Sequence, residues 1–312
     1  MNLNKPSFNW DSDKIVVKTS TEENLLQLSR SNQDAYDVYI ELLNHDYVLY
    51  MHQDQQSYFI KREEVWTIWQ RKDLIQQGQT FYTLADPLKN NKLAKKRLVV
   101  IFSSMPPAKD YFSDNVARRM FVQNYPSMPK HLLKNTFILR IMDLNRSSGS
   151  YYLNAGRCHT LENDVQAIIN KVCEEHHIMP SDVVLYGGSK GGTGALYHSI
   201  LGNYHAVVVD PIFSIEKYNK SKDMHYLKNT LPEKLLPKFQ DALKKYPSDR
   251  KKVILGTSQV PENYSEYSQI DDASIKVVNL QDDAMDDHVK ISMNCTPEQI
   301  TLINDFLMGI HI

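Results

Sequence analysis

Six short apolar segments rich in β-branched residues recur through the last two thirds of the chain, and a loop and a longer amphipathic stretch usually follow each one. They span residues 97–104, 136–144, 182–189, 205–211, 252–258 and 275–280. Continuous apolar strands that alternate with helices are typical of a parallel sheet buried on both faces. The pattern therefore predicts an α/β fold, with a mostly parallel sheet and helices on both of its faces.

The first 94 residues have a different texture. Aromatic and polar residues are mixed there, with a helical pattern at 34–43 and two short runs, YVLYM and SYFIK, that predict a hairpin. We expect residues 1–94 to form a small α+β appendage and residues 95–312 to form the α/β domain. The segment 212–251 is longer than a plain crossover, so we expect a cap inserted over the sheet.

Charge and composition exclude several classes of function. The 312 residues include 36 basic and 37 acidic side chains, a formal net charge of -1, so no global field favours nucleic acid. No apolar run reaches the roughly 18 residues of a membrane span, and the start lacks the apolar core of a signal peptide, so we expect a cytoplasmic protein. The three cysteines have no paired spacing and no metal-binding motif occurs, so we expect neither a disulfide framework nor a metal site.

The third apolar run leads into an unusual glycine-rich turn. Residues 187–191 read G-G-S-K-G, a G-x-S-x-G motif between a strand and a helix-forming stretch. A serine at the tip of such a turn is held in a strained conformation, with its hydroxyl above the sheet. The motif predicts Ser189 as the nucleophile of an α/β-hydrolase fold, with the backbone N–H of Lys190 as one oxyanion donor. The second donor is expected from the backbone of Ser104 or Met105, after the first apolar run.

A serine nucleophile needs a base and an acid, which follow it in chain order in this fold. His288 lies between the last predicted strand and the terminal helix, where the base is expected, and His225 in the cap is its competitor. Glu262 is the first choice for the acid, because a glutamine occupies the customary position three residues before it. Asp210, directly after the fourth apolar run, is the second choice, and the acidic loop 282–287 stays open.

Two arginines flank the loop after the second apolar run. Arg146 and Arg157 lie on either side of SSGSYYLNAG, at the end of the sheet where the active site is expected. With the side chain of Lys190, they are candidates for binding an anionic donor or substrate.

At YGGSKGGTGALY, VVVDP and DDHVKI the chain resembles bacterial α/β-hydrolase-like proteins of surface glycan assembly. It is similar to the XcbB/CpsF capsular polysaccharide biosynthesis family and, more distantly, to the acetylating component of accessory Sec systems. The resemblance covers roughly residues 95–310. It implies a triad carried onto Ser189, Glu262 and His288, and acetyl transfer to a sugar hydroxyl.

These observations together predict a serine-dependent esterase or O-acyltransferase that acts on a surface glycan or its precursor through an acyl-serine. We expect no resident cofactor, with acetyl-CoA as acyl donor if the protein is a transferase. The expected partners are the glycan or a small ester, and other glycan-assembly proteins. A thioesterase or peptidase is one alternative, and a catalytically silent scaffold of a glycan assembly or export complex is the other.

Overall fold

The computed structural model describes residues 7–310, and its N-terminal part is a small α+β unit. The strands are β1 (Lys14–Lys18), β2 (Tyr47–Gln53) and β3 (Gln56–Lys61), and the helices are α1 (Leu25–Leu28) and α2 (Gln33–Asn44). The strands form an antiparallel sheet in the order β1-β3-β2. Asp54 and Gln55 both adopt positive φ angles, as a tight hairpin turn between β2 and β3 requires. The predicted helix and hairpin are thus confirmed.

The large sheet continues the chain. Its strands are β4 (Ile75–Gln77), β5 (Thr80–Ala85), β6 (Arg97–Phe102), β7 (Thr136–Ile141), β8 (Val183–Gly188), β9 (His205–Val209), β10 (Lys252–Gly256) and β11 (Ile275–Asn279). They are ordered β4-β5-β7-β6-β8-β9-β10-β11, and strands β6 to β11 run parallel. Each of the six predicted strands is present, and the predicted α/β fold is confirmed.

The predicted domain boundary at residue 94 does not fit this sheet. Strand β5 pairs antiparallel with β7, and β4 pairs with β5, so both strands extend the large sheet. Phe81 and Tyr82 on β5 are buried. The α+β unit therefore ends before residue 75. The sequence did not indicate this because β4 is short and mostly polar, and because β5 joins the large sheet through β7, which is distant in sequence.

Helices cover both faces of the large sheet. They are α3 (Val116–Met120), α4 (Leu161–His176), α5 (Lys190–Leu201), α6 (Glu216–Lys220), α7 (Leu236–Lys245), α8 (Pro261–Tyr267), α9 (His288–Asn294) and α10 (Thr296–Met308). Short 3₁₀ helices occur at Arg62–Ile68, Ala108–Asp110, Met128–His131 and Pro180–Asp182. Alternate residues of β6 point to opposite faces. Leu98 and Val100 join the apolar cluster under α4, α5 and α7, whereas Val99 and Ile101 join the cluster under α10.

The segment 212–251 divides into two parts. Its second part contains α7, which packs against α5 through Phe239 and belongs to the core of the sheet. Its first part reaches the carboxyl ends of the strands, where Tyr218, Met224 and His225 line a cavity. The predicted cap is therefore limited to the first part, and the second part is a crossover helix. No helix within residues 7–310 has the length and apolar character needed to cross a membrane.

Candidate active site

The turn between β8 and α5 holds Ser189 in a conformation that side chains rarely adopt. Its φ is 55° and its ψ is -125°, and its N–H donates a 2.9 Å hydrogen bond to the carbonyl of Val209. A Cβ on Gly187 would lie 2.3 Å from the backbone of Gly191, and a Cβ on Gly191 would lie 2.3 Å from the carbonyl oxygen of Phe102. Only glycine fits at these two positions, and the strained turn presents the serine hydroxyl at the end of the sheet.

Three side chains form a continuous hydrogen-bonded chain at this turn. Ser189 Oγ lies 2.7 Å from His288 Nε2, and His288 Nδ1 lies 2.6 Å from Asp210 Oδ2. The other carboxylate oxygen of Asp210 accepts a 2.7 Å hydrogen bond from the hydroxyl of Tyr267. Asp210 is 1% exposed, so its charge is held in a largely dry environment. A nucleophile, a base within hydrogen-bond reach and an acid that orients the base are the geometry of a serine triad.

The structure corrects the first choice for the acid. Glu262 does not reach His288; it is exposed on α8 and forms a 3.0 Å ion pair with Lys217. Helix α8 begins at Pro261, and its geometry turns Glu262 to solvent while it brings Tyr267 inward to Asp210. The acidic loop has other partners: Asp282 bonds the N–H of Ala284, Asp286 pairs with Lys290, and Asp287 caps α9.

His225, the competitor for the base, lines the same cavity but has no carboxylate partner within residues 7–310. Its Nδ1 is hydrogen-bonded to the hydroxyl of Tyr151. Burial, followed by the positive charge of Lys190, lowers the pKa of His225 to about 3. The geometry thus brings His288, and not His225, to the serine.

In the described part of the chain, two of the three predicted oxyanion donors have a free N–H group, and the third does not. The N–H of Lys190 is the first of α5, where a helix leaves its N–H groups without an internal acceptor. Ser104 is not available, because its N–H donates a 2.9 Å hydrogen bond to the side-chain oxygen of Asn124. The N–H of Met105 has no hydrogen-bond acceptor within residues 7–310, and Met105 lines the same cavity. The two backbone donors that remain are therefore those of Lys190 and Met105.

The side chain of Lys190 points away from the cavity. It is fully buried, its ammonium lies 3.1 Å from Asp143, and it donates a 2.9 Å hydrogen bond to the carbonyl of Ser148. Burial lowers the pKa of Lys190, and Asp143 opposes this shift. The expectation that this side chain binds an anion is wrong, because its charge is already used inside the protein.

The two arginines are not at the cavity either. Arg146 is buried, and its guanidinium donates to the carbonyl of Tyr226 and to the side-chain oxygen of Asn44. Arg157 is exposed and is not among the residues that line the cavity. Arg146 instead joins the N-terminal unit to segment 212–251, a role that sequence alone does not distinguish from substrate binding.

The cavity beside Ser189 has a volume of about 470 Å³ and mostly apolar walls. Its lining residues are Ser104, Met105, Pro106, Pro107, Ala108, Tyr111, Asn124, Tyr186, Gly188, Ser189, Val209, Asp210, Tyr218, Met224, His225, His288, Val289 and Ser292. No lysine or arginine is among these lining residues of the described chain. Such a cavity suits an uncharged portion of a substrate. Tyr267, Tyr111 and Asn124 were not among the site residues predicted from the sequence, because nothing in their local sequence connects them to the glycine turn.

No protein-family model and no curated protein sequence matches this chain. Among solved structures, a chain of the glycosylation-associated Gap123 complex from Streptococcus agalactiae has a TM-score of 0.55 at 15% identity; the match covers 76% of this chain and 46% of that one. The capsule O-acetyltransferase of Neisseria meningitidis serogroup A has a TM-score of 0.49 at 16% identity; the match covers 74% of this chain and 93% of that one. An S-formylglutathione hydrolase from Agrobacterium tumefaciens has a TM-score of 0.45 at 12% identity; the match covers 75% of this chain and 99% of that one.

At these identities the likeness concerns the fold alone. The neighbours include proteins named for capsule and for glycosylation.

Proposed function

We propose that this protein is a serine-dependent esterase or O-acyltransferase that acts on a bacterial surface glycan or its precursor. The observation that carries the proposal is the hydrogen-bonded chain Asp210–His288–Ser189, which opens into the cavity. The glycan class is supported by the resemblance in the sequence and by the names of the structural neighbours. A cytoplasmic location and association with other glycan-assembly proteins belong to the same proposal.

In the first half of the reaction, Ser189 Oγ attacks the carbonyl carbon of an ester while His288 Nε2 takes the serine proton. The N–H groups of Lys190 and Met105 stabilise the negative charge on the carbonyl oxygen. The bond to the leaving oxygen or sulfur then breaks, His288 returns the proton to the leaving group, and the acyl group stays on Ser189. Asp210 keeps the hydrogen of the imidazole on Nδ1 and stabilises its positive charge.

In the second half, an incoming hydroxyl gives its proton to His288 Nε2 and attacks the acyl carbon. The bond to Ser189 Oγ breaks, and His288 returns the proton to the serine. Water as the incoming group makes the protein an esterase, and a sugar hydroxyl makes it a transferase. If acetyl-CoA is the donor, its phosphates lie outside the cavity, because no cationic side chain is among the lining residues described above.

A fluorophosphonate probe on the full chain tests the reactive serine. We expect the wild type to be labelled at Ser189 and the Ser189→Ala variant to remain unlabelled. Ser189→Ala should also reduce hydrolysis of p-nitrophenyl acetate by about 10⁴-fold or more, as in other serine triads. Ser292→Ala is the matched control, because Ser292 lines the same cavity but is not hydrogen-bonded to His288.

A folded wild-type protein that the probe does not label would contradict the proposal and favour the silent scaffold. If labelling succeeds, mass spectrometry of a sugar acceptor incubated with acetyl-CoA and the protein distinguishes the transferase from the esterase.

A further inference from the structure

His225 occupies a position in the cavity that the triad leaves unexplained. The residue is 4% exposed, and it lines the cavity that contains Ser189 and His288. Its ring is stacked on the ring of Tyr218, with centroids 3.7 Å apart and an interplanar angle of 21°. The imidazole is thus fixed in the wall of the cavity.

The hydrogen bond to Tyr151 determines where the imidazole carries its hydrogen. Tyr151 is fully buried, and burial raises its pKa, so its hydroxyl keeps its proton. His225 Nδ1 is the hydroxyl's only hydrogen-bond partner within residues 7–310. A buried hydroxyl donates wherever an acceptor is available, so Tyr151 donates to Nδ1 and the neutral ring carries its hydrogen on Nε2.

The second nitrogen of the ring faces the cavity. His225 Nε2 has no hydrogen-bond partner in the described chain. It is not one of the fully buried polar atoms without a partner, so the atom keeps some solvent access. Because the residue is otherwise buried, the remaining access to Nε2 is through the cavity it lines. At neutral pH this is an uncharged N–H donor, since burial lowers the pKa of His225 to about 3.

We propose that His225 is a substrate-binding residue whose Nε2–H donates a hydrogen bond to a hydroxyl oxygen on the alcohol part of the ester. The proposal rests on the proposed function and specifies the substrate side of the same cavity. A small acyl group such as acetyl has one acceptor oxygen, the carbonyl, and the backbone N–H groups of Lys190 and Met105 take that oxygen. The Nε2–H of His225 is a further neutral donor among apolar walls, and it remains available to the alcohol part of the ester. It therefore selects a hydroxyl-bearing substrate over an apolar one.

Two esters that share a primary acetate provide the kinetic test: 6-O-acetylglucose, which has hydroxyls, and cyclohexylmethyl acetate, which has none. We expect the wild type to prefer the sugar ester in kcat/KM. His225→Leu should reduce this preference about 10- to 100-fold, mainly by raising KM for the sugar ester. His225→Gln, which keeps an N–H donor, should restore much of the preference. Tyr151 does not line the cavity, and Tyr151→Phe removes the hydroxyl that keeps the hydrogen of His225 on Nε2. This variant should therefore lose part of the preference for the sugar ester.

The proposal is overturned if the wild type shows no preference for the sugar ester, or if His225→Leu leaves the preference unchanged. A second measurement does not depend on turnover. In the Ser189→Ala full chain labelled with ¹⁵N-histidine, we expect the NMR signals of a neutral Nε2–H tautomer at His225 and a shift of that signal when 6-O-acetylglucose is added. An Nδ1–H tautomer, or no shift at saturating sugar ester, contradicts the role of His225. Absent fluorophosphonate labelling of the wild type would instead contradict the proposed function alone.

Discussion

Replacement of Asp210 by asparagine tests the acid of the candidate triad most directly. Asparagine has nearly the same shape and tolerates the positive φ of 37° at this position, so the fold should be kept. The amide removes the charge that faces His288 Nδ1 across 2.6 Å. It also presents an N–H donor there, so the imidazole shifts its hydrogen to Nε2, the nitrogen that must accept the proton of Ser189.

The expected cost follows from these two losses. In a comparable triad the same change lowers kcat about 10⁴-fold. That factor corresponds to about 5 kcal/mol of transition-state stabilisation. We expect Asp210→Asn to lower kcat/KM for p-nitrophenyl acetate by about 10³- to 10⁴-fold, and to slow labelling by a fluorophosphonate in parallel.

Glu262→Gln is the matched control, because it makes the same chemical change on an exposed carboxylate. The ion pair of Glu262 with Lys217 is at the surface, where such pairs contribute about 0–1 kcal/mol. We expect this variant to keep its activity within about twofold. Thermal melts and near-UV circular dichroism establish that both variants are folded. The reasoning is refuted if Glu262→Gln loses as much activity as Asp210→Asn, or if folded Asp210→Asn keeps more than about a tenth of the wild-type rate.

Three further predictions concern groups around the triad. Tyr267→Phe removes the hydroxyl that bonds Asp210 and should lower kcat about 3- to 30-fold, measured with the same ester; an unchanged rate would show that this hydrogen bond does not position the acid. Lys190→Ala leaves the charge of Asp143 buried and unpaired, so urea unfolding should show a free energy of unfolding lower by about 3–5 kcal/mol. The double variant Lys190→Met/Asp143→Asn should recover much of this loss. Equal stability of the single and double variants would contradict the pairing. Burial lowers the pKa of His198 to about 4, against about 6.5 in the unfolded chain, so below pH 6.5 the unfolded chain binds a proton that the folded chain does not. Stability should therefore fall as pH decreases towards 4, by about 2 kcal/mol at pH 5 from this residue, and urea unfolding at pH 7 and 5 should show a smaller decrease for His198→Gln than for the wild type.

The parts of the structure that the sequence predicted depend on local patterns. The six parallel strands follow from apolar runs of the right length, and the turn at Ser189 follows from glycines at fixed spacing. His288 was selected by its place in chain order, and the structure places it 2.7 Å from the serine. These signals are local or topological, so they survive without knowledge of which distant residues meet.

The choice between Asp210 and Glu262 was decided only by the tertiary structure. Both carboxylates follow strands of the same sheet. Helix α8 begins at Pro261 and turns Glu262 to solvent, whereas Asp210 lies beside His288. The sequence also did not show that β4 and β5 belong to the large sheet, because β4 pairs with its neighbour β5, and β5 joins the sheet through β7, which is distant in sequence.

The same is true of the charged and polar groups near the site. Whether Lys190 faces a ligand or Asp143, and whether the N–H of Ser104 is free or bonded to Asn124, depends on packing between segments far apart in the chain. A sequence shows which groups can ionise or donate a hydrogen bond. Only the folded structure determines which of them are already paired, because every buried polar group must find its partner among residues that the fold brings together.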